Sequence, residues 1–243
     1  MNLEEIVRVP YTTQPHMKRY DGPLLVDPDP KVIEQKRIEL RKWDSKLFAI
    51  AKDNPFVGRV SEHLNLQKTK SIVQLALQME EDFAILHKGR LHEICFCFPS
   101  SWKPAERVGM TLEDIHRPVG DGQKLVEASQ RIAHTISTSG PYRRHVWTLS
   151  NSGELSQYPD GKSSVVPHRI EDLWFRMEVQ TTSPLGDGDT CLFLVQVLVV
   201  PLSELWRTES NRILLTSSIE SMSENVLRYK GLENIKKLLY NNS

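Results

Sequence analysis

The chain has 243 residues, of which 39% are hydrophobic and 26% charged, so it is long enough to bury a globular core. Its 31 basic and 31 acidic side chains cancel to a net charge of zero, which gives no electrostatic bias toward nucleic acid. The N-terminus shows no secretory signal, and the longest apolar stretch, residues 191–201, falls short of the roughly 20 residues that span a bilayer. We expect a cytoplasmic protein that binds neither nucleic acid nor membrane.

The first half of the chain predicts an arm, two helices and a hairpin. Residues 1–30 are rich in proline and aspartate and have no helical period, which predicts an extended N-terminal arm. Apolar residues recur with helical spacing at 31–51, and a second helix is predicted at 68–79. The runs 83–87 and 91–98 flank Lys88-Gly89-Arg90, which predicts two strands joined by a turn.

The second half returns to helices and then to strands. Thr111 is a predicted N-cap, a break follows at 118–122, and a longer helix runs to about 136. Strands are predicted at 145–149, 173–181 and 191–200, and helices from Ser203 onward with Gly231 as a cap. This order predicts an α+β fold, a PAS-like antiparallel sheet with helices on one face, in which residues 31–243 form one domain with helical N- and C-terminal extensions.

The three cysteines are too few for a disulfide framework. Cys95 and Cys97 are two residues apart in an apolar run, which predicts that both lie on one face of a strand. We interpret them as buried, inert thiols.

A candidate site lies in the segment CFPSSWKPAERVG (97–109) and the following IHRPVG (115–120), which join a strand to a helix. A neutral His116 imidazole at the end of a short helix has the chemistry to ligate a metal or heme iron. A lone histidine is more often a capping or hydrogen-bonding residue, and the residues alone leave both interpretations open. No zinc-type spacing such as HExxH accompanies it. Scattered cations nearby either hold an anionic group or lie on the surface: Lys103, Arg107, Arg143 and Arg144.

The strand at 173–181 carries a polar row. Strict alternation places Arg176, Glu178 and Gln180 on one face. That face either lines a pocket or meets solvent. In a pocket, Arg176 would suit a carboxylate and Glu178 an amine or a proton. Serine-hydrolase, GxGxxG and Walker A motifs do not occur in the chain.

These segments resemble the heme-dependent oxidative N-demethylase alpha-subunit-like family. Besides CFPSSWKPAERVG and IHRPV, similar segments follow in the same order: Glu81-Asp82, HVWTL (145–149), RMEVQT (176–181), Leu192-Phe193 and YKGL (229–232). The resemblance implies a PAS-like domain that binds heme b. It also implies oxidative demethylation of a small secondary amine such as dimethylamine, with dioxygen as co-substrate and a separate flavin or iron-sulfur reductase as electron donor.

The resemblance also implies roles for individual residues. His116 would be the axial iron ligand, and Glu178 would be the catalytic residue that binds the substrate ammonium or relays a proton. The expected cofactor-binding residues are His116, Arg176 at a propionate, Trp102 or Trp147 on the macrocycle, and Arg107.

The chain departs from the family pattern within these same motifs. Val146 replaces the usual asparagine, Val179 the usual arginine and Arg107 a common lysine, and Ser183-Pro-Leu-Gly stands where Leu-Pro-Arg is usual. Two alternatives to the enzyme therefore stay open: a heme or small-ligand sensor of PAS type, and an interaction module without cofactor.

Overall fold

The computed structural model describes residues 2–51, 56–161 and 166–240. The strands within these ranges are β1 (Lys18–Arg19), β2 (Phe48–Ile50), β3 (Asp82–His87), β4 (Arg90–Cys95), β5 (Tyr142–Ser150), β6 (Trp174–Pro184) and β7 (Thr190–Pro201). The helices are α1 (Pro30–Trp43), α2 (Phe56–His63), α3 (Ile72–Ala76), α4 (Leu112–His116), α5 (Gln123–Thr138), α6 (Leu202–Trp206), α7 (Glu209–Glu220), α8 (Glu224–Lys230) and α9 (Glu233–Tyr240). Within these ranges, no helix is long and apolar enough to cross a bilayer.

The strands form one antiparallel sheet in the order β1-β5-β6-β7-β3-β4-β2. The long pairings β5–β6 and β6–β7 lie near its centre, and β1 and β2 are short edge strands. The predicted α+β class with an antiparallel sheet is confirmed.

The predicted hairpin is confirmed, with one change at its end. His87 pairs with Arg90, and Lys88 (φ 50°) and Gly89 (φ 73°) both adopt the left-handed conformation that a two-residue type I′ turn requires. The second strand ends at Cys95, because the Phe96 amide instead donates to the Leu47 carbonyl at 3.0 Å. Cys95 therefore lies in the strand and Cys97 beyond it, and both are buried, free thiols.

Two helices are shorter than their apolar spacing predicts. The helix predicted at 31–51 ends at Trp43, and residues 48–50 pair with β4 as a strand. The helix predicted at 68–79 covers only Ile72–Ala76, with Ser71 as its N-cap. The backbone of β2 makes its hydrogen bonds to β4, which is distant in sequence, so the local apolar spacing could not predict this strand.

The helix boundaries predicted at Thr111, at the break of residues 118–122 and at Gly231 agree with the structure, whereas α2 was not predicted. Thr111 caps α4, α5 follows the break, and Gly231 ends α8 with φ 68°, where a side chain would be strained. Helices lie on both faces of the sheet, whereas the sequence placed them on one. The α6–α9 region packs with Phe175 and Met177 of β6, and α4 and α5 face the opposite side of the same strand.

A buried ion pair fastens α1 to the start of β3. Lys36 Nζ lies 3.3 Å from Asp82 Oδ1, and both side chains are 0% exposed. Burial lowers the pKa of Lys36, but the Asp82 charge together with Cys97 and Cys95 raises it above its usual value. Asp82 Oδ2 also accepts a hydrogen bond from the Phe98 amide at 2.7 Å. The Lys36–Asp82 ion pair is therefore linked to the beginning of the 97–120 segment.

Candidate functional site

A cavity of about 1450 Å³ lies between the Glu178 face of the sheet and helices α4 and α5. Small-molecule pockets usually measure roughly 300–1,000 Å³, so this one has room for a macrocycle and a second ligand. Its walls include parts of the sheet (Arg144, Val146, Arg176, Glu178, Gln180, Thr182, Phe193), the 100–136 segment (Ser100, Trp102, Arg107, Leu112, Ile115, His116, Leu125, Ile132, Ile136), the arm (Tyr11 to Tyr20), the loop after β5 (Ser152, Glu154, Ser156, Gln157) and the end of α8 (Tyr229, Lys230).

His116 is held at the cavity by the last turn of α4. Its Nδ1 lies 2.7 Å from the Leu112 carbonyl oxygen, which only accepts, so Nδ1 carries the proton. The Nε2 lone pair is then available, and this is the tautomer found when histidine binds a metal through Nε2. Burial and the Arg144 charge lower the pKa of His116 to about 4, so the imidazole is neutral at physiological pH.

A capping box fixes the helix that carries His116. The Thr111 hydroxyl accepts a hydrogen bond from the Asp114 amide at 3.1 Å, and the Asp114 carboxylate accepts one from the Thr111 amide at 3.3 Å. A helix of this length depends on its caps, because it has few internal hydrogen bonds.

We expect Thr111→Ala to lower the free energy of unfolding by about 1 kcal/mol, because it removes half of this capping box. Urea denaturation followed by circular dichroism measures the change. Thr135→Ala in the last turn of α5 is the matched control, since among the described residues its hydroxyl donates only to the Arg131 carbonyl of its own helix. Equal effects of the two changes would contradict the capping role.

Glu178 is oriented by a neighbour on each side. Ser100 Oγ donates to Glu178 Oε1 at 2.5 Å, and Gln180 Nε2 donates to Oε2 at 2.7 Å. Gln180 Oε1 in turn accepts Arg144 Nε at 2.7 Å. The carboxylate is therefore held in one orientation at the cavity wall.

Arg176 borders the same cavity, but its hydrogen bonds give it a structural role. Its Nε donates to Ser100 Oγ at 2.9 Å, one terminal nitrogen to the Leu155 carbonyl at 2.7 Å and the other to the Phe98 carbonyl at 2.9 Å. The side chain is 1% exposed. We therefore revise its predicted pairing with a propionate: Arg176 fastens two loops to β6.

The two tryptophans differ in position. Trp102 lines the cavity and packs edge-on against Phe96, so its ring is placed to contact a bound group. Trp147 is buried in the second apolar cluster, stacked on Phe175 at 5.6 Å between centroids. Trp147 also borders the cavity, and its predicted packing on a macrocycle stays a prediction, although alternation in β5 places its ring on the face of the second apolar cluster.

Arg107, like Trp102, lines the cavity. The only hydrogen bond of its side chain within the described ranges goes to Met110 Sδ, at 3.8 Å. A weakly held guanidinium on a cavity wall is suited to an anionic group such as a propionate.

The structure also shows interactions that the sequence did not predict. Ser100 and Gln180 orient Glu178, and Arg144, noted only as one of several scattered cations, lies on the same face. The arm and the end of α8 close the cavity, where Tyr11 and Lys230 lie 5.2 Å apart from ring centroid to Nζ. Alternation in β5 is the one local signal that predicts the orientation of Arg144.

The two valines that depart from the family pattern have different positions. Val146 pairs with Glu178 and lines the cavity, so its apolar side chain alters the wall beside the carboxylate. Val179 lies on the opposite face and packs against the second apolar cluster. Only the first departure changes the candidate site.

Residues 45–240 match the family model described as haem-dependent oxidative N-demethylase, alpha subunit-like. The chain belongs to this family. No curated protein matches the chain significantly. The match covers the whole 97–120 segment and β5 to β7, whereas all of the arm that closes the cavity precedes it.

Proposed function

We propose that this N-demethylase-like protein binds heme b in the cavity through His116 and oxidatively demethylates a small secondary amine. The observation that carries the proposal is the placement of His116, with Nδ1 bonded to Leu112 and Nε2 available, on the same cavity as Glu178. The family match supplies the expected cofactor and reaction type.

The cavity wall fits the chemistry of heme. His116 offers a neutral nitrogen ligand, Trp102 and the aliphatic side chains of α4 and α5 offer apolar contact, and Arg107 offers a cation for a propionate. In the described ranges, no three His, Cys, Asp or Glu side chains gather as a protein-only metal site. His116 would therefore act as a single protein ligand.

Heme, when bound, supplies the activation of dioxygen that the side chains lack. Overall, the N-methyl carbon leaves as formaldehyde with one oxygen atom, the second oxygen becomes water, and two electrons and two protons are consumed. The electrons come from a separate reductase, because the chain contains no recognisable flavin, nicotinamide or iron-sulfur motif. Glu178, fixed by Ser100 and Gln180, accepts the ammonium hydrogen bond and orients the amine.

The proposal is tested by titrating the purified chain with hemin and recording the Soret band. We expect a stoichiometric complex, and release of formaldehyde from dimethylamine or another methylated amine when a reductase system and oxygen are supplied. If the Soret band stays that of free hemin, without shift or sharpening, heme binding is refuted. A heme complex that never releases formaldehyde would refute the enzymatic proposal and favour a heme-binding sensor.

A further inference from the structure

Two opposite charges line the cavity without pairing with each other. Arg144 of β5 and Glu178 of β6 lie on the same face of the sheet, in diagonal register, because Arg144 pairs with Gln180 and Val146 with Glu178. Diagonal neighbours on one face are roughly 7–8 Å apart. The structure shows no ion pair between the two side chains.

Gln180 holds these two charges apart. Its amide oxygen accepts Arg144 Nε at 2.7 Å, and its amide nitrogen donates to Glu178 Oε2 at 2.7 Å. Ser100 fixes the other oxygen of Glu178. Both charged groups are thus oriented before any ligand binds, and orientation in advance lowers the entropic cost of binding.

Arg144 keeps its terminal donors for a ligand. Its single hydrogen bond among the described residues uses Nε, which leaves the two terminal nitrogens for a carboxylate in the bidentate geometry that guanidinium favours. The neighbouring arginines differ in this respect. Arg176 has a protein acceptor at all three nitrogens, and Arg143 donates to Thr181 and Pro23 while stacking on Tyr20.

Arg144 is half-buried, and a guanidinium partly withdrawn from water without a counter-ion is costly, so an anion is the expected partner of this guanidinium. Burial lowers the pKa of Arg144, and the nearby Glu178 raises it without fully offsetting burial. A simple dialkylamine would satisfy Glu178 and leave Arg144 without an anion.

We propose that the site takes a zwitterionic secondary amine, an N-methyl α-amino acid, with its ammonium on Glu178 and its carboxylate on Arg144. This inference rests on the proposed function for the fate of the N-methyl group, but the binding can be tested without turnover. It makes Arg144 the residue that distinguishes amino acids from simple amines.

Calorimetric titration of the unmodified chain, heme-free and heme-loaded, tests the proposal with three probes: N-methylglycine, its neutral carboxamide and dimethylamine. A charge-assisted hydrogen bond contributes about 1.5–3 kcal/mol, so N-methylglycine should bind about tenfold to a hundredfold more tightly than either other probe. Equal affinities for the three probes would overturn the proposal. This comparison needs no variant and still decides the question if heme does not bind.

Variants assign the preference to a residue. Arg144→Gln should abolish the preference for N-methylglycine, and Arg144→Lys should restore part of it. Glu178→Gln should weaken the binding of N-methylglycine and of dimethylamine alike. Arg143→Gln is the matched control and should leave the preference for N-methylglycine unchanged. If Arg144→Gln instead weakens heme binding and leaves the preference intact, Arg144 holds a propionate and the proposal is wrong.

Discussion

If His116 ligates heme as proposed, replacing it with alanine is expected to shift the Soret band and abolish demethylation. Partners that only orient a ligating histidine contribute roughly 10–100-fold to metal affinity or activity, so loss of the ligand itself should exceed that range. Absorption spectra and formaldehyde release measure the two effects. Added imidazole should restore part of the spectrum, because it occupies the space that the side chain leaves.

His134→Ala is the matched control for this change, since His134 lies on α5 with its side chain exposed and outside the cavity wall. It should leave the spectrum and the activity unchanged. A His116→Ala variant with the same Soret position and turnover as the unmodified chain would exclude His116 as the ligand.

The pKa of His116 gives the same site a characteristic pH dependence. A free imidazole titrates near pH 6.5, whereas burial and the Arg144 charge hold the pKa of His116 at about 4. Because this pKa is lowered in the folded protein, the His116 imidazole stays neutral, and so able to bind iron, as the pH falls to about 4. Protonation of this imidazole should therefore not weaken heme binding between pH 8 and 5.

Lys36→Met is expected to cost about 3–5 kcal/mol of the free energy of unfolding, because it leaves the Asp82 carboxylate buried without its counter-ion. Urea denaturation measures the loss. The double variant Lys36→Met with Asp82→Asn should recover much of it, since asparagine keeps an acceptor for the Phe98 amide and carries no charge.

Arg37→Met offers a matched control on the same helix. Arg37 and Glu34 lie 3.2 Å apart, almost the separation of Lys36 and Asp82, but their side chains are 49% and 51% exposed. An exposed pair contributes only about 0–1 kcal/mol, so burial is the variable that the comparison isolates. Similar losses in the two variants would contradict the role assigned to the buried pair.

Several features of the site were predictable because they depend on neighbours in sequence. Alternation alone places Arg176, Glu178 and Gln180 on one face of a strand, and the structure puts that face on a cavity. The cap at Thr111 and the turn at Lys88-Gly89 follow from local backbone chemistry. The order of the motifs was sufficient to indicate the family, and the match over residues 45–240 confirms it.

Other features depend on contacts between distant segments. The end of α1 at Trp43 reflects the pairing of residues 48–50 with β4, and no periodicity signals it. The chemistry of Arg176 suggested that it binds a propionate. In the structure, its guanidinium is hydrogen-bonded to Phe98, Ser100 and Leu155 instead. Glu178 likewise needs Ser100, 78 positions away in sequence, to fix its orientation.

The sequence by itself determined the class of fold, the family and the face of β6 that carries Glu178, because strand alternation and motif order are local properties. The tertiary structure decided which cation is available to a ligand. Arg143 and Arg144 are adjacent and chemically identical, and alternation says only that their side chains lie on opposite faces. In the packed sheet, Gln180 bonds Arg144 through Nε alone and leaves its terminal nitrogens unbonded, while Arg143 is engaged by Thr181 and Pro23. That difference arises from side-chain packing across the sheet, which depends on which strands become neighbours.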